Sequence, residues 1–295
     1  MNKQYSISVI LVLFLVVNVQ AQLLWKVSGN GLKKPSYLFG THHLIEKEKI
    51  PDFDKILAIV PQVDVVVGEM DLSNMLGMQL KMLKECMMKD TTLNDLLNAE
   101  DYMLVNDQFK QVVGMKLDKL RKMKPMMLSA LYEVKLYMGY YNLKKEPESV
   151  DLVLQKAGKK AKKKIVGLET IEQQMDILFN SMSLKRQAEV LVQSVKDKEK
   201  SLNLIKQLNE AYINGDLKMM SQLSIQEEQM STEDKKILIE NRNNNWVVKL
   251  KELMPLQSCF VAVGCMHLTD ETGLIAQLEK AGYTVEGIDK MGVLL

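Results

Sequence analysis

Two short apolar runs at opposite ends of this 295-residue chain finish in the same way. Ser36-Tyr37-Leu38-Phe39 leads into Gly40-Thr41-His42-His43-Leu44, and Cys259-Phe260-Val261-Ala262-Val263 leads into Gly264-Cys265-Met266-His267-Leu268. Each reads as a buried strand followed by Gly-x-x-His and Leu. All three histidines of the chain lie in these segments. Gly directly after a strand permits a sharp turn or a close backbone approach. A His three residues on then stands at the strand's carboxyl end, where open α/β sheets place their sites. If the two strands are neighbours, the turns bring two imidazoles together, as a metal site requires. The repeated pattern therefore predicts a sheet assembled from both ends of the chain.

The intervening sequence supplies the remaining strands and the helices. Leu23 to Ser28, the turn-rich Gly29 to Pro35 and the run Tyr37 to Phe39 predict a hairpin. Phe53, Ile56, Leu57 and Val60 have helical spacing after Pro51. Val63 to Gly68 is an almost continuous β-branched run, the mark of a buried strand, and Glu69-Met70-Asp71 follows it. Ser149 to Gly158 reads as a helix, and Lys164 to Leu168 as a strand ending at Glu169-Thr170. A helix from Gly273 to Ala281 and a strand over 283–288 close the chain. Residues 72–148 read as entirely helical, and Ile171 to Val248 as helical and highly charged. The expected fold is α/β (α+β): a central mixed β-sheet built from both termini, flanked by helices, with a large helical insertion in the middle. One domain is expected over 22–295, with the α/β core at about 22–71, 149–170 and 257–295 and helical portions at about 72–148 and 171–250.

The first 21 residues read as a signal peptide. Lys3 is its positive start, Ile7 to Val17 its apolar centre, and Val19-Gln20-Ala21 its small-residue cleavage site. The apolar centre is shorter than the roughly 20 residues of a membrane span. The expected product is exported, periplasmic or secreted, cut after Ala21 and without a transmembrane segment. A net charge of +2 and 6% aromatic residues argue against a nucleic-acid partner. Cys86, Cys259 and Cys265 are too few for a disulfide framework and suit small buried positions. The Met-rich run from Met70 to Met88 reads as an adaptable packing face or a peptide groove.

Predicted strand ends carry His43, Glu69, His267 and Glu169. Two imidazoles and a carboxylate are a standard ligand set for Zn²⁺ or a similar divalent ion, so His43, His267 and Glu69 are the candidate ligands. A second carboxylate, Glu169, suits a general base or an outer partner for an imidazole. No Gly-x-Ser-x-Gly elbow, phosphate loop or Cys-x-x-Cys pair is present.

The segments Leu24 to Ser28 and Pro35 to Leu44 resemble the opening signature of the TraB/PrgY/GumN family. The resemblance continues at Val67 to Asp71, Ser149 to Leu152, Gly167 to Gln174, Asn241 to Trp246 and Val261 to Leu268, and ends with Leu278 to Val285. That family includes the Tiki proteins, described as metal-dependent proteases that trim the amino terminus of Wnt ligands. The resemblance implies a fold related to erythromycin esterase and ChaN-like proteins, and a peptide or protein substrate. It implies metal ligation by His43, His267 and Glu69, with Mn²⁺ or Co²⁺ as candidates beside Zn²⁺. Asp151, Glu169, Arg242 and Asn243 fall on other characteristic positions. They are expected to handle protons, orient substrate or, for Arg242, stabilise an oxyanion. His42 and the pair Cys265-Met266 depart from the family pattern. The competing expectation is a non-catalytic binder of peptide, or of haem or iron, on the same fold.

Overall fold

In the computed structural model, which describes residues 22–226 and 231–288, six strands form one sheet. They are β1 (Leu24–Gly29), β2 (Ser36–Thr41), β3 (Val65–Gly68), β4 (Lys164–Gly167), β5 (Cys259–Gly264) and β6 (Tyr283–Gly287). Their order across the sheet is β4-β3-β5-β2-β1-β6. The first four in that order run parallel, and β1 pairs antiparallel with both β2 and β6. The sheet is mixed and draws on both ends of the chain. Val65, Val66 and Val67 are all fully buried. Successive strand residues point to opposite faces, so both faces of the sheet are covered at β3. The hairpin between β1 and β2 turns through Gly29, Asn30 and Gly31, all at positive φ, a conformation that glycine adopts without a Cβ penalty.

Helix α1 (Phe53–Ile59) crosses from β2 to β3. Between β3 and β4 lie α2 (Met75–Glu85), α3 (Leu93–Leu96), α4 (Ala99–Val112), α5 (Pro125–Tyr140) and α6 (Val150–Lys160). Between β4 and β5 lie α7 (Ile171–Asn180), α8 (Leu184–Lys196), α9 (Lys198–Ile213), α10 (Leu217–Gln226), α11 (Thr232–Lys235) and α12 (Asn241–Leu253). A π-helical turn, Lys236–Glu240, joins α11 to α12, and α13 (Leu274–Lys280) precedes β6. The stretch 72–148 is helical in separate pieces and not throughout. Gly114 (φ 77°) and Asn142 (φ 53°) stop α4 and α5 with the left-handed conformation that commonly ends helices.

Apolar side chains form distinct clusters. The largest surrounds the sheet, with Phe39, Phe260, Leu154, Trp246 and Leu250 at its centre. A second joins Leu93, Phe109, Leu128, Tyr132 and Leu191 from α3, α4, α5 and α8. A third sets Met82 and Cys86 against Met175 and Phe179 of α7. Met78 and Met82 of the Met-rich run thus pack one face of α2, while Met75, Leu76, Leu80 and Leu83 are exposed. All three cysteines are buried free thiols. The proposed leader at 1–21 lies outside the described residues. Among those described, no helix is long and apolar enough to cross a membrane.

Candidate functional site

The four parallel strands end level with one another. Thr41 pairs with Gly264, and Gly68 pairs with both Ala262 and Gly167. The residues just past those ends are therefore neighbours, and they include His43, Glu69, Glu169 and His267. The two Gly-x-x-His turns touch directly: a Cβ on Gly40 would stand 3.0 Å from Cys265 Cβ and 3.1 Å from its Cα. Only glycine allows that approach, and Tyr212 Oη donates to the Gly40 carbonyl at 2.8 Å.

Glu69 is nearly buried and fully bonded. Its Oε2 accepts from Arg242 Nη2 at 2.6 Å and from Gln174 Nε2 at 3.0 Å, and its Oε1 from the Gly264 N–H at 2.9 Å. Burial alone would raise its pKa, but the fields of His267, Arg242 and His43 and the Gly264 bond hold it well below the usual carboxylate range. Glu169 grips the same arginine in fork geometry, accepting from Nε at 2.9 Å and from Nη2 at 3.0 Å. Trp246 Nε1 also donates to Glu169, at 3.0 Å, and the guanidinium lies 4.7 Å from the indole ring centre. Burial works against the charge of Arg242, yet its bonds to Glu169 and the fields of both carboxylates outweigh it and keep the guanidinium protonated.

His267 lies deeper still. Asn243 Nδ2 donates to the carbonyls of His267 at 3.2 Å and Thr272 at 2.9 Å, which leaves its Oδ1 facing His267 Nδ1 at 2.7 Å. An amide oxygen only accepts, so Nδ1 carries the proton and the lone pair sits on Nε2. That lone pair accepts from Arg242 Nη1 at 3.1 Å. The His267 pKa falls to about 4: burial lowers it first, Glu69 opposes, and the charges of Arg242 and His43 add to the fall.

His43 is held differently. Its Nδ1 is 3.2 Å from Asp151 Oδ2, and Ser149 Oγ and Thr41 Oγ1 donate to the same carboxylate at 3.1 and 2.8 Å. The bond to Asp151 is the main cause of a pKa raised to about 9, and the charges of Asp151 and Glu69 pull the same way as the bond. Adjacent His42 instead leans on Tyr212, with ring centres 5.3 Å apart, and its Nδ1 accepts from the Leu44 N–H. Of the two neighbouring histidines, His43 is the one bonded into the cluster.

Every residue singled out in the sequence as metal-binding or catalytic lies at this end of the sheet. Each imidazole has its Nδ1 next to an outer oxygen, the arrangement that metal-binding histidines use to fix tautomer and ring orientation. His267 Nε2 and Glu69 Oε1 are 4.0 Å apart. The donors suit a divalent ion in kind. Among the described residues, however, no group of three His, Cys, Asp or Glu side chains stands in metal-holding positions. Arg242 instead bridges His267 and Glu69.

The sequence model of the TraB/PrgY/gumN family matches residues 23–287, from the start of β1 to the end of β6. The chain belongs to the TraB/PrgY/gumN family. No curated protein and no solved structure matches it. In this TraB/PrgY/gumN chain, residues besides Thr41, Ser149 and Tyr212 also shape the site without having drawn a role from the sequence. Trp246 holds Glu169, Gln174 holds Glu69, and Gln155 ties the Met70–Leu72 segment through its carbonyl and N–H. Trp246 follows Arg242 by four positions, so the two share a helix face. Gln174 directly follows the capping box Thr170–Gln173 that starts α7. Those spacings were the available signals.

Proposed function

We propose that this chain is an exported peptidase that uses a divalent metal ion, Mn²⁺, Co²⁺ or Zn²⁺, held by His43, His267 and Glu69. One observation carries the metal half of the reading: both imidazoles have Nδ1 engaged by a separate outer residue, Asp151 or Asn243, and in His267 it is Nε2 that faces Arg242 and Glu69. When bound, such an ion makes water a nucleophile at neutral pH. The protein's own groups do the rest. Asp151 and Asn243 orient the imidazoles, and Glu169 and Trp246 hold Arg242, whose Nη1–H would meet a developing oxyanion only after leaving His267. Both Glu169 oxygens are occupied, which makes it a holder of Arg242 before a proton carrier. The peptide substrate follows from the family resemblance, and export from the leader pattern at 1–21.

The test is to strip metal from purified protein, restore Mn²⁺, Co²⁺ or Zn²⁺, and screen a peptide library by mass spectrometry. Cleavage that needs metal and vanishes in His43→Ala and His267→Ala is expected. Equal behaviour of wild type and both variants sinks the peptidase reading. A second reading has its own support: the buttressed His43–Asp151 pair resembles a general base with its orienting carboxylate, which would activate water without a metal once the ring has lost its proton, towards alkaline pH. Cleavage that survives chelation but is lost in His43→Ala would favour it.

A further inference from the structure

We infer that Arg242 is the resident counter-ion of this site, and that a divalent ion enters only by displacing its contact with His267. The inference rests on the metal reading above. Three geometric facts lead to it.

The first is a competition for one lone pair. Asn243 fixes the His267 proton on Nδ1, so Nε2 has a single lone pair. Arg242 Nη1 occupies it at 3.1 Å. An N–H and a metal ion cannot share it.

The second is that Arg242 spans the same side chains the ion would. Nη1 meets His267 while Nη2 meets Glu69 Oε2 at 2.6 Å. A positive charge already sits between two of the candidate ligands. It compensates Glu69 and Glu169, which would otherwise be buried anions without a partner.

The third is that the guanidinium keeps its other anchors if the contact with His267 is lost. The opposite edge of the guanidinium is anchored to Glu169 through Nε and Nη2. Nη1 also donates to the Leu238 carbonyl at 3.2 Å, in the π-helical turn just before α12. Releasing His267 therefore costs one bond and leaves the anchor in place. π-Helical turns recur at functional sites, and this one already holds the other Nη1 hydrogen, so the guanidinium stays placed when His267 is released. Once released, Nη1 becomes a free donor beside the bound ion.

The experiment compares metal affinity, not turnover. Wild type, Arg242→Lys and Arg242→Gln are stripped and titrated with Mn²⁺ and Zn²⁺ by calorimetry. Lys keeps a cation near Glu169 but is too short to bridge to His267, so that variant guards against loss of fold. The expected result is tighter binding in both variants, by about tenfold for Arg242→Lys, the ratio equivalent to losing one competing hydrogen bond. Nitrogen NMR of the wild type gives a second readout: metal should shift His267 Nε2 while the Arg242 Nε–H signal persists. Equal or weaker affinity in either variant overturns the inference and leaves the metal reading standing. Binding in none of the three proteins removes both.

Discussion

His267 and His43 leave adjacent parallel strands at the same level, yet 5% of the first side chain is exposed against 67% of the second. Their sequence pattern is the same, and so is the glycine before each turn. What differs is what later segments lay over them. Helix α12 brings Asn243, Arg242 and Trp246 onto His267, with ring centres of Trp246 and His267 only 4.3 Å apart. His43 receives only the start of α6, through Ser149 and Asp151. The imidazole pKa values move in opposite directions as a result, to about 4 and about 9. A repeated motif fixes where a side chain stands; its neighbours decide its protonation.

The sharpest way to break this contrast is to remove the centre of the buried half. Arg242→Met leaves Glu69 and Glu169 without their counter-ion and is expected to cost about 3–5 kcal/mol, read by urea unfolding of metal-free protein. A loss below about 1 kcal/mol, the range of an exposed ion pair, would show that water reaches these carboxylates. The two glycines provide the next comparison. Gly40→Ala drives a Cβ into the Cys265 backbone and the Leu268 side chain and should cost about 1–3 kcal/mol. Gly264→Ala meets mainly Glu69 Oε1, at 3.2 Å, so it should cost less stability while disturbing the carboxylate more. Equal losses in the two would mean that the turns are not packed as described.

Asn243→Ala strands the His267 Nδ1–H and takes a donor from the His267 carbonyl, while the Thr272 carbonyl keeps Gln277 Nε2, for an expected loss of about 1–3 kcal/mol. Asp151→Asn should change stability by less, about 1 kcal/mol at most, since the His43 ring reaches water. Its mark is instead a fall in the His43 pKa, visible by proton NMR. The smallest effect is the pH dependence. His267 has a folded value below the ordinary 6.5, so its share of stability is full at neutral pH and is lost as pH falls from about 6.5 towards 4. His43 has a raised value, so its share is full below about 6.5 and is lost as pH rises through about 9. Urea midpoints of wild type, His267→Gln and His43→Gln at acidic, neutral and alkaline pH separate the two slopes. Parallel curves for both variants would erase the contrast.

Much of the frame is legible in the chain. The apolar runs, the Gly-x-x-His endings and the carboxylates after Val63–Gly68 and Lys164–Leu168 fall where strand ends stand. Strand identity depends on local pattern, and here the pattern is clean. The interior of the site is less legible. In Asn241-Arg242-Asn243-Asn244-Asn245 only the family resemblance singles out Arg242 and Asn243, since nothing in so polar a run signals that these two are buried. Polar periodicity does not reveal which way a helix turns when its polar face meets carboxylates and an imidazole. The subdivision of 72–148 is written in short local signals that an overall helical composition masks: the caps Asn74, Thr92 and Asn98, Pro125 at the start of α5, and Gly114 and Asn142 at positive φ.

The position of β5 between β3 and β2 has a consequence for how the protein is made. Cys259 N bonds to Ser36 Oγ across 223 positions of sequence. Until the ribosome has delivered residues 259–264, β2 and β3 each lack a neighbour and present open, apolar edges of the kind that recruit other chains. Closing so long a loop is also slow relative to local helix formation. A product truncated before β5 therefore loses more than one histidine: it keeps two sticky strand edges and half a site. The last strand to be synthesised but one completes the core and brings His267 to His43, Glu69 and Glu169 in the same step, so an unfinished chain lacks both.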